Sequence, residues 1–406
     1  MRSTVERRPP QSLLIAILAG LGMVGPFSID TIFPAFQQMG AALGVSALAL
    51  QQLVSVYLIS FAVMSLIHGP LSDALGRKPV ILVGGAVFTL ASVGCALAPS
   101  LGWLLVGRAI QGASAGAGQI ISRAMVRDLF TGSLAQRVMS QIAMIFGLAP
   151  ALAPIVGGWL LLAGDWRIIF WSLAGYGLLL VLLVALFLPE THPPEVRTPL
   201  RLRPLVGGMA TVWRDPDGRR LVFAGMLNFA GMFTYISSAP LFVVNLLGKG
   251  ERDFWLLFVP LISGMIAGSW VAGRLAGRVP GTRLATWGYR ISVAGGVVNL
   301  ALALLPHADP LPWAVVVLPV YTLGVAIAFP ILTLAMLDLF PDRRGAASSV
   351  QSFVQLTLNA VIAGAWAPFM AQSLLGLAVN ALVVTLVAWV LWARHLRVAR
   401  PAPEAR

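Results

Sequence analysis

The sequence predicts an all-α integral membrane protein, with twelve transmembrane helices arranged as two six-helix halves. Three observations lead there. Of the 406 residues, 58% are hydrophobic and only 11% are charged, against roughly 25% charged in an ordinary soluble domain. The charges sit in short clusters between long apolar runs. That pattern excludes a soluble cytosolic enzyme, and the formal net charge of +13 does not indicate nucleic acid, because such binding needs a basic patch on a soluble fold. The apolar runs also recur at about the 20 residues a helix needs to cross hydrocarbon.

Such runs lie at 12–36, 48–68, 79–98, 101–123, 137–163 and 166–188 (spans 1 to 6), and at 220–247, 253–273, 283–305, 310–337, 345–372 and 374–394 (spans 7 to 12). Span 1 follows Arg2, Arg7 and Arg8 in the manner of a secretory signal. It is too long for one, contains Asp30 and lacks a clear small-residue cleavage site, so it reads as a retained helix. Twenty-three of the 28 Lys and Arg residues lie in the tails and in the connections after even-numbered spans, whereas the opposite side carries Arg167, Lys249 and Arg252. The positive-inside rule then places both termini in the cytoplasm. The segment 189–219, rich in proline and arginine, reads as a cytoplasmic linker between an N-terminal half, 1–188, and a C-terminal half, 220–406. Six plus six spans with a site between the halves is a recurring transporter plan. Gly69-Pro-Leu-Ser after span 2 is weakly echoed by Gly273-Arg-Leu-Ala after span 8. The single cysteine, Cys95, and four scattered histidines argue against a disulfide framework and a metal centre.

The loop after span 2 reads Gly69-Pro-Leu-Ser-Asp73-Ala-Leu-Gly76-Arg77-Lys78. Gly76 permits a tight turn, and Asp73 is placed to face a helix N-terminus or to pair with an arginine across the half-interface. This loop, set after an even span, resembles the signature of the major facilitator superfamily. Three further stretches agree with the resemblance. Span 4 holds Arg108-Ala-Ile-Gln111-Gly112-Ala-Ser-Ala-Gly116, span 1 ends in Ser28-Ile-Asp30-Thr-Ile-Phe-Pro34, and span 5 holds Gly147-Leu-Ala-Pro150-Ala-Leu-Ala-Pro154-Ile-Val-Gly157-Gly158. The last is similar to the antiporter motif of the superfamily, with Ala153 where that motif prefers glycine. Among twelve-span drug:proton antiporters the chain is most similar to the Bcr/CflA drug-resistance group. The resemblance implies a bacterial inner-membrane exporter, monomeric and without a cofactor, that uses a proton gradient to move small molecules through the bilayer. Antibiotics of the phenicol or bicyclomycin kind are the expected cargo, and a metabolite facilitator or symporter for a sugar or nucleoside is the alternative. No nucleotide-binding loop and no catalytic cluster stand in the spans, so neither ATP-driven transport nor an enzyme is expected.

Asp30 draws attention apart from any family. An ionisable group in hydrocarbon costs a few kcal/mol even on the lenient insertion scale, so it faces the bundle interior and marks a proton relay by default. Asp30 and Arg108 each lie about 10 Å inside the outer ends of their spans, a depth that permits a pair. The two are expected to couple transport to protons. For the substrate cavity, family position points to spans 1, 4, 7 and 10, on which Ser28, Gln111, Gln119, Asn228, Tyr235, Ser238 and Tyr321 are the polar candidates. Span 11 adds Gln355, which shares a helix face with Gln351 and Asn359. Interhelical hydrogen bonding is an equal alternative for each of these side chains.

Overall fold

The computed structural model describes residues 10–130, 138, 142, 149, 150, 152–197, 202–250, 252–305 and 310–398. Among them the regular elements are all helical, and no strand occurs. The spans run Gln11–Leu43, Ala47–Leu75, Arg77–Ala96, Leu101–Leu129, Arg167–Phe187, Pro216–Ser237, Trp255–Leu275, Gly281–Leu304, Trp313–Leu339, Gly345–Met370 and Leu374–Val398, and span 5 is helical at 152–160. Nine of these helices are long and apolar enough to cross a membrane by composition alone. Spans 4 and 7 fall short because they carry glycine and polar residues inside, among them Arg108, Gln111 and Asn228.

Local chemistry fixes the helix ends. Ser46 and Ser100 accept hydrogen bonds from Ala49 N and Trp103 N at the starts of spans 2 and 4, and Asp215 accepts from Gly218 N at 2.7 Å ahead of Pro216 in span 7. These are N-caps that satisfy donors the helix leaves open. Span 1 departs from the expected single rod. It consists of Gln11–Asp30, a 3-10 turn Phe33–Ala35 and a second helix Phe36–Leu43. Pro34 lies in the turn, where its missing N–H does no harm. The span therefore continues past residue 36, and Asp30 lies farther from its outer end than the sequence suggested.

The linker is more ordered than its composition implies. It contains the helix Leu202–Arg214, whose Val212 is wholly buried with Leu221 and Val222 of span 7. Arg343 Nη1 donates to Thr211 Oγ1 of this helix. The linker helix therefore belongs with the second half.

The two halves repeat one packing scheme, in which spans 2, 3 and 6 of the first correspond to spans 8, 9 and 12 of the second around spans 4 and 10. Glycine sets the closest approaches. A Cβ on Gly112 would overlap the Tyr57 carbonyl, and one on Gly264 would overlap that of Pro319, so span 4 meets span 2, and span 8 meets span 10, backbone to backbone. Small residues serve this purpose in membranes, where dispersion rather than water drives helix association.

The halves join on the face opposite the start of span 1 and the end of span 12, here the far face. Gln51 Nε2 donates to Ser237 O at 3.0 Å, Gln52 Nε2 to Gly364 O at 2.8 Å, and Ser55 Oγ to Ala360 O. The acceptors lie in or beside two wide π turns, Leu241–Leu246 after span 7 and Ile362–Trp366 in span 11. Such turns shift the backbone hydrogen-bond register by one residue and leave carbonyls available to a neighbouring helix. The structure is closed at the far face.

Candidate functional site

Arg108 is the centre of the polar interior of the first half. It is wholly buried, although among the described residues no carboxylate pairs with it within 4.0 Å. Its Nε donates to Leu53 O at 3.2 Å, and its Nη1 donates to Ser28 O and Ser28 Oγ, both at 3.1 Å, and to Gln111 Oε1 at 2.9 Å. The guanidinium carbon lies 4.3 Å from the centroid of the Tyr57 ring, within the range of a cation–π contact. Gln111 in turn donates from Nε2 to Ser92 Oγ at 2.7 Å. Spans 1, 2, 3 and 4 are thus tied through one guanidinium, and among the described residues its Nη2 has no hydrogen-bond partner.

Asp30 is also buried, two residues beyond Ser28, at the junction where the first helix of span 1 ends. It makes no ion pair with Arg108 within 4.0 Å. The direct pair that equal depth allowed is therefore absent, because depth fixes height along a helix and not the direction in which a side chain leaves it. The donors of Arg108 go to carbonyl, hydroxyl and amide oxygens instead. Span 5 approaches the same place: a Cβ on Gly157 would overlap the carbonyl of Thr31, the residue after Asp30. Pro154 and Gly158 are buried beside it and Pro150 is half-buried. Gly147 lies outside the described residues.

The loop after span 2 forms a second polar cluster on the face of the termini. Gly76 has φ +102°, a conformation that requires glycine, and a Cβ there would lie 2.6 Å from Glu190 Oε2 and displace that carboxylate. The Glu190 carboxylate accepts from Arg77 N at 3.0 Å and Lys78 N at 3.2 Å, capping span 3. Arg77 Nη1 pairs with Asp73 at 2.5 Å, and its Nε pairs with Asp128 at 3.3 Å. Thr191 Oγ1 donates to the same Asp128 oxygen at 2.8 Å, and Lys78 Nζ donates to Ala185 O. Gly69 has open space where a Cβ would stand. The contact expected of Asp73 across the half-interface is not made in this far-face-closed state. Its ion-pair partner is Arg77, four residues on in the same half.

Asp73 is 42% exposed, and a pair with so exposed a member stabilises a fold by about 1 kcal/mol or less, while the buried Arg77 keeps Asp128 and Ser72 as partners. Asp73→Asn is accordingly expected to leave the melting temperature nearly unchanged while transport falls, because any contact it forms across the halves belongs to the opposite state. Full transport at matched expression would remove Asp73 from the gate.

The polar candidates for the cavity divide in two. Gln111 is held by Ser92 and Arg108. Tyr235 accepts from Asn299 Nδ2 at 2.7 Å, and Tyr321 shares a hydrogen bond with Thr385 at 2.9 Å. Their polar ends tie helices within one half, and Ser28 serves the guanidinium. The other group keeps buried atoms without partners among the described residues: Gln119 Oε1, Asn228 Oδ1, Ser238 Oγ and Gln355 Oε1. Sequence reasoning missed Tyr57, Gln51 and His68, which are buried in span 2; among the described residues Gln51 Oε1 and His68 Nδ1 have no partner. Polar side chains inside an apolar span were the available signal. It also missed Asp128 and Glu190, whose roles depend on contacts remote in sequence.

Two six-helix bundles, joined at one face and holding buried polar clusters, define a membrane transporter rather than an enzyme. The model of the Major Facilitator Superfamily matches residues 15–364, and the chain belongs to that superfamily. It is similar to the uncharacterized MFS-type transporter YdgK of Bacillus subtilis, with 32% identity over 87% of this chain and 88% of the relative. It is also similar to the bicyclomycin resistance protein homolog of Haemophilus influenzae, with 28% identity over 86% of this chain and 87% of that protein. Among solved structures, a D-xylose-proton symporter shares the fold, with a TM-score of 0.71 and 15% identity over 93% of this chain and 97% of the other. The protein is multi-pass, and small molecules and the lipid bilayer are its partners.

Proposed function

We propose that this protein exports small, moderately apolar antibiotics of the phenicol or bicyclomycin kind across the bacterial inner membrane in exchange for protons. It acts as a monomer without a cofactor, with both termini in the cytoplasm, and the proton gradient supplies the energy. The observation that carries this reading is the buried Asp30 at the break in span 1, near a buried guanidinium that it does not contact. Movement of span 1 relative to span 4 changes the distance between the two charges. The charge state of a buried carboxyl follows its desolvation and its nearest charges, so the facing state and the proton are linked. Span 5, packed through Gly157 on Thr31, is placed to seal this region as the bundle moves. The bicyclomycin resistance homolog supports the cargo class, whereas the likeness to the sugar symporter carries the fold alone.

Expression in a strain stripped of its own exporters tests the reading. Resistance to chloramphenicol or bicyclomycin is expected to rise, and a protonophore is expected to abolish the accumulation difference between expressing and control cells. Unchanged susceptibility across an antibiotic panel, together with proton-coupled uptake of a sugar or nucleoside, would replace export with symport.

A further inference from the structure

Span 2 carries a buried histidine that the coupling site does not use. His68 is 3% exposed and lies in the helix Ala47–Leu75, about 7 Å along the axis from the exposed Asp73. Its two ring nitrogens meet different surroundings. Among the described residues neither makes a hydrogen bond, yet only Nδ1 is a buried atom, so Nε2 reaches the accessible surface. The buried nitrogen lies against span 4, where a Cβ on Gly116 would stand 2.9 Å from it and 2.7 Å from the Phe61 ring. The opposite edge of that ring lies against span 1. A Cβ on Gly25 there would stand 3.3 Å from Phe61 and 2.9 Å from Gln119 Oε1, a second buried atom without a partner among the described residues. Two glycines thus leave room between spans 1, 2 and 4 for a small polar place bordered by His68 and Gln119. Gly25 precedes Asp30 by five residues, about 7 Å along span 1. Between the level of Asp30 and Arg108 and that of His68, these three spans carry no other acid or histidine. Beyond His68 the charged groups at this end of spans 2, 3 and 4 are Asp73, Arg77, Lys78, Arg123, Arg127 and Asp128, and Arg77 pairs with both aspartates.

We propose that His68 is the inner proton relay of the exporter, carrying the proton between Asp30 and the cytoplasm along a path bordered by the Gln119 amide. The proposal rests on the proton-coupled reading above and adds the route by which that proton leaves. Asp30 is buried in this far-face-closed state, so its proton needs a carrier to reach the open side. An ionisable side chain within a span marks such a relay by default. Histidine suits the task because it takes and gives a proton near neutral pH at either of two nitrogens. In the release step Asp30 gives up its carboxyl proton through water, Nδ1 takes it, and the Nε2 proton passes to solvent. Asp30 is left as a carboxylate, one proton appears in the cytoplasm, and the neutral ring regains its first tautomer by exchange with water. A relay sets the rate of release, whereas Asp30 sets its extent.

Chloramphenicol-induced proton release from the purified full-length protein in detergent, followed by stopped flow with a pH-sensitive dye, separates rate from extent. His68→Ala is expected to slow release about 100-fold with the extent unchanged. Added imidazole is expected to restore much of the rate in this variant and to leave the wild type unaffected. His68→Gln keeps a polar side chain that carries no proton, and it should be as slow as the alanine variant. An unchanged rate in His68→Ala, a slow rate that imidazole does not raise, or wild-type speed in His68→Gln would each overturn the relay and leave Asp30 as the coupling group. Loss of extent together with rate in both variants would place His68 in the proton site itself and overturn the relay as well. No release from the wild type would overturn the coupling reading, and the relay with it.

Discussion

Asp30→Asn is expected to abolish uphill, proton-driven export while the protein still folds and inserts. The side chain is 3% exposed, and asparagine copies its shape without its charge. A buried amide needs no counter-charge, so the substitution removes a costly ionisable group and adds none. The coupling is what is lost. An exporter driven by protons needs one group that binds a proton in one facing state and releases it in the other, and the proton and substrate then oppose each other through the conformational equilibrium. Asparagine fixes that group in a neutral, proton-loaded form. Substrate binding and downhill movement are expected to persist, because neither requires proton release. The decisive measurement is substrate-induced proton release from purified protein in detergent, with release by the wild type and none by Asp30→Asn. Equal release from both would move the coupling role elsewhere, with Asp338 at the inner end of span 10 the next candidate.

Much of this architecture is legible in the sequence, for a physical reason. Hydrocarbon tolerates no unpaired backbone, so apolar length alone marks each crossing helix, and the described spans begin and end within a few residues of the apolar runs for most of the chain. Where the reading falls short, it concerns direction rather than position. Gln111, Tyr235 and Tyr321 were candidates for the cavity, yet they bond to Ser92, Asn299 and Thr385 on neighbouring helices. In a bilayer the lipid-facing, neighbour-facing and cavity-facing sides of a helix are all largely apolar, so periodicity cannot assign a polar residue to one of them. The linker helix Leu202–Arg214 was hidden for another reason. Its prolines and arginines read as loop, and the apolar face that carries Val212 shows its purpose only once span 7 is beside it. The far-face seam was hidden as well, since Gln51, Gln52 and Ser55 bond to main-chain carbonyls whose availability depends on π turns that no residue pattern announces.

Arg108 should prove as sensitive as Asp30, but through stability as well as transport. The three N–H groups on its Nε and Nη1 are shared among four acceptors, Leu53 O, both oxygens of Ser28 and Gln111 Oε1, and the guanidinium lies over Tyr57. Arg108→Ala leaves those acceptors unsatisfied around a new cavity. From the usual cost of buried truncations and of lost bonds to charged groups, the loss is about 3 kcal/mol or more, visible as a lower melting temperature in detergent and as lost transport. Arg108→Lys separates charge from geometry. The ammonium keeps the charge but has neither the fork nor the flat face, and from one point it cannot serve Leu53 on span 2 and Gln111 on span 4 together. The lysine variant is expected to fold more stably than the alanine variant and to transport poorly. Because Arg108 does not touch Asp30, its contribution to coupling lies in holding Ser28, and with it the end of span 1, near the guanidinium in this facing state, a hold that movement of span 1 against span 4 releases. Wild-type transport by the lysine variant would reduce the requirement to the charge alone, and wild-type transport by the alanine variant would remove Arg108 from the coupling machinery altogether.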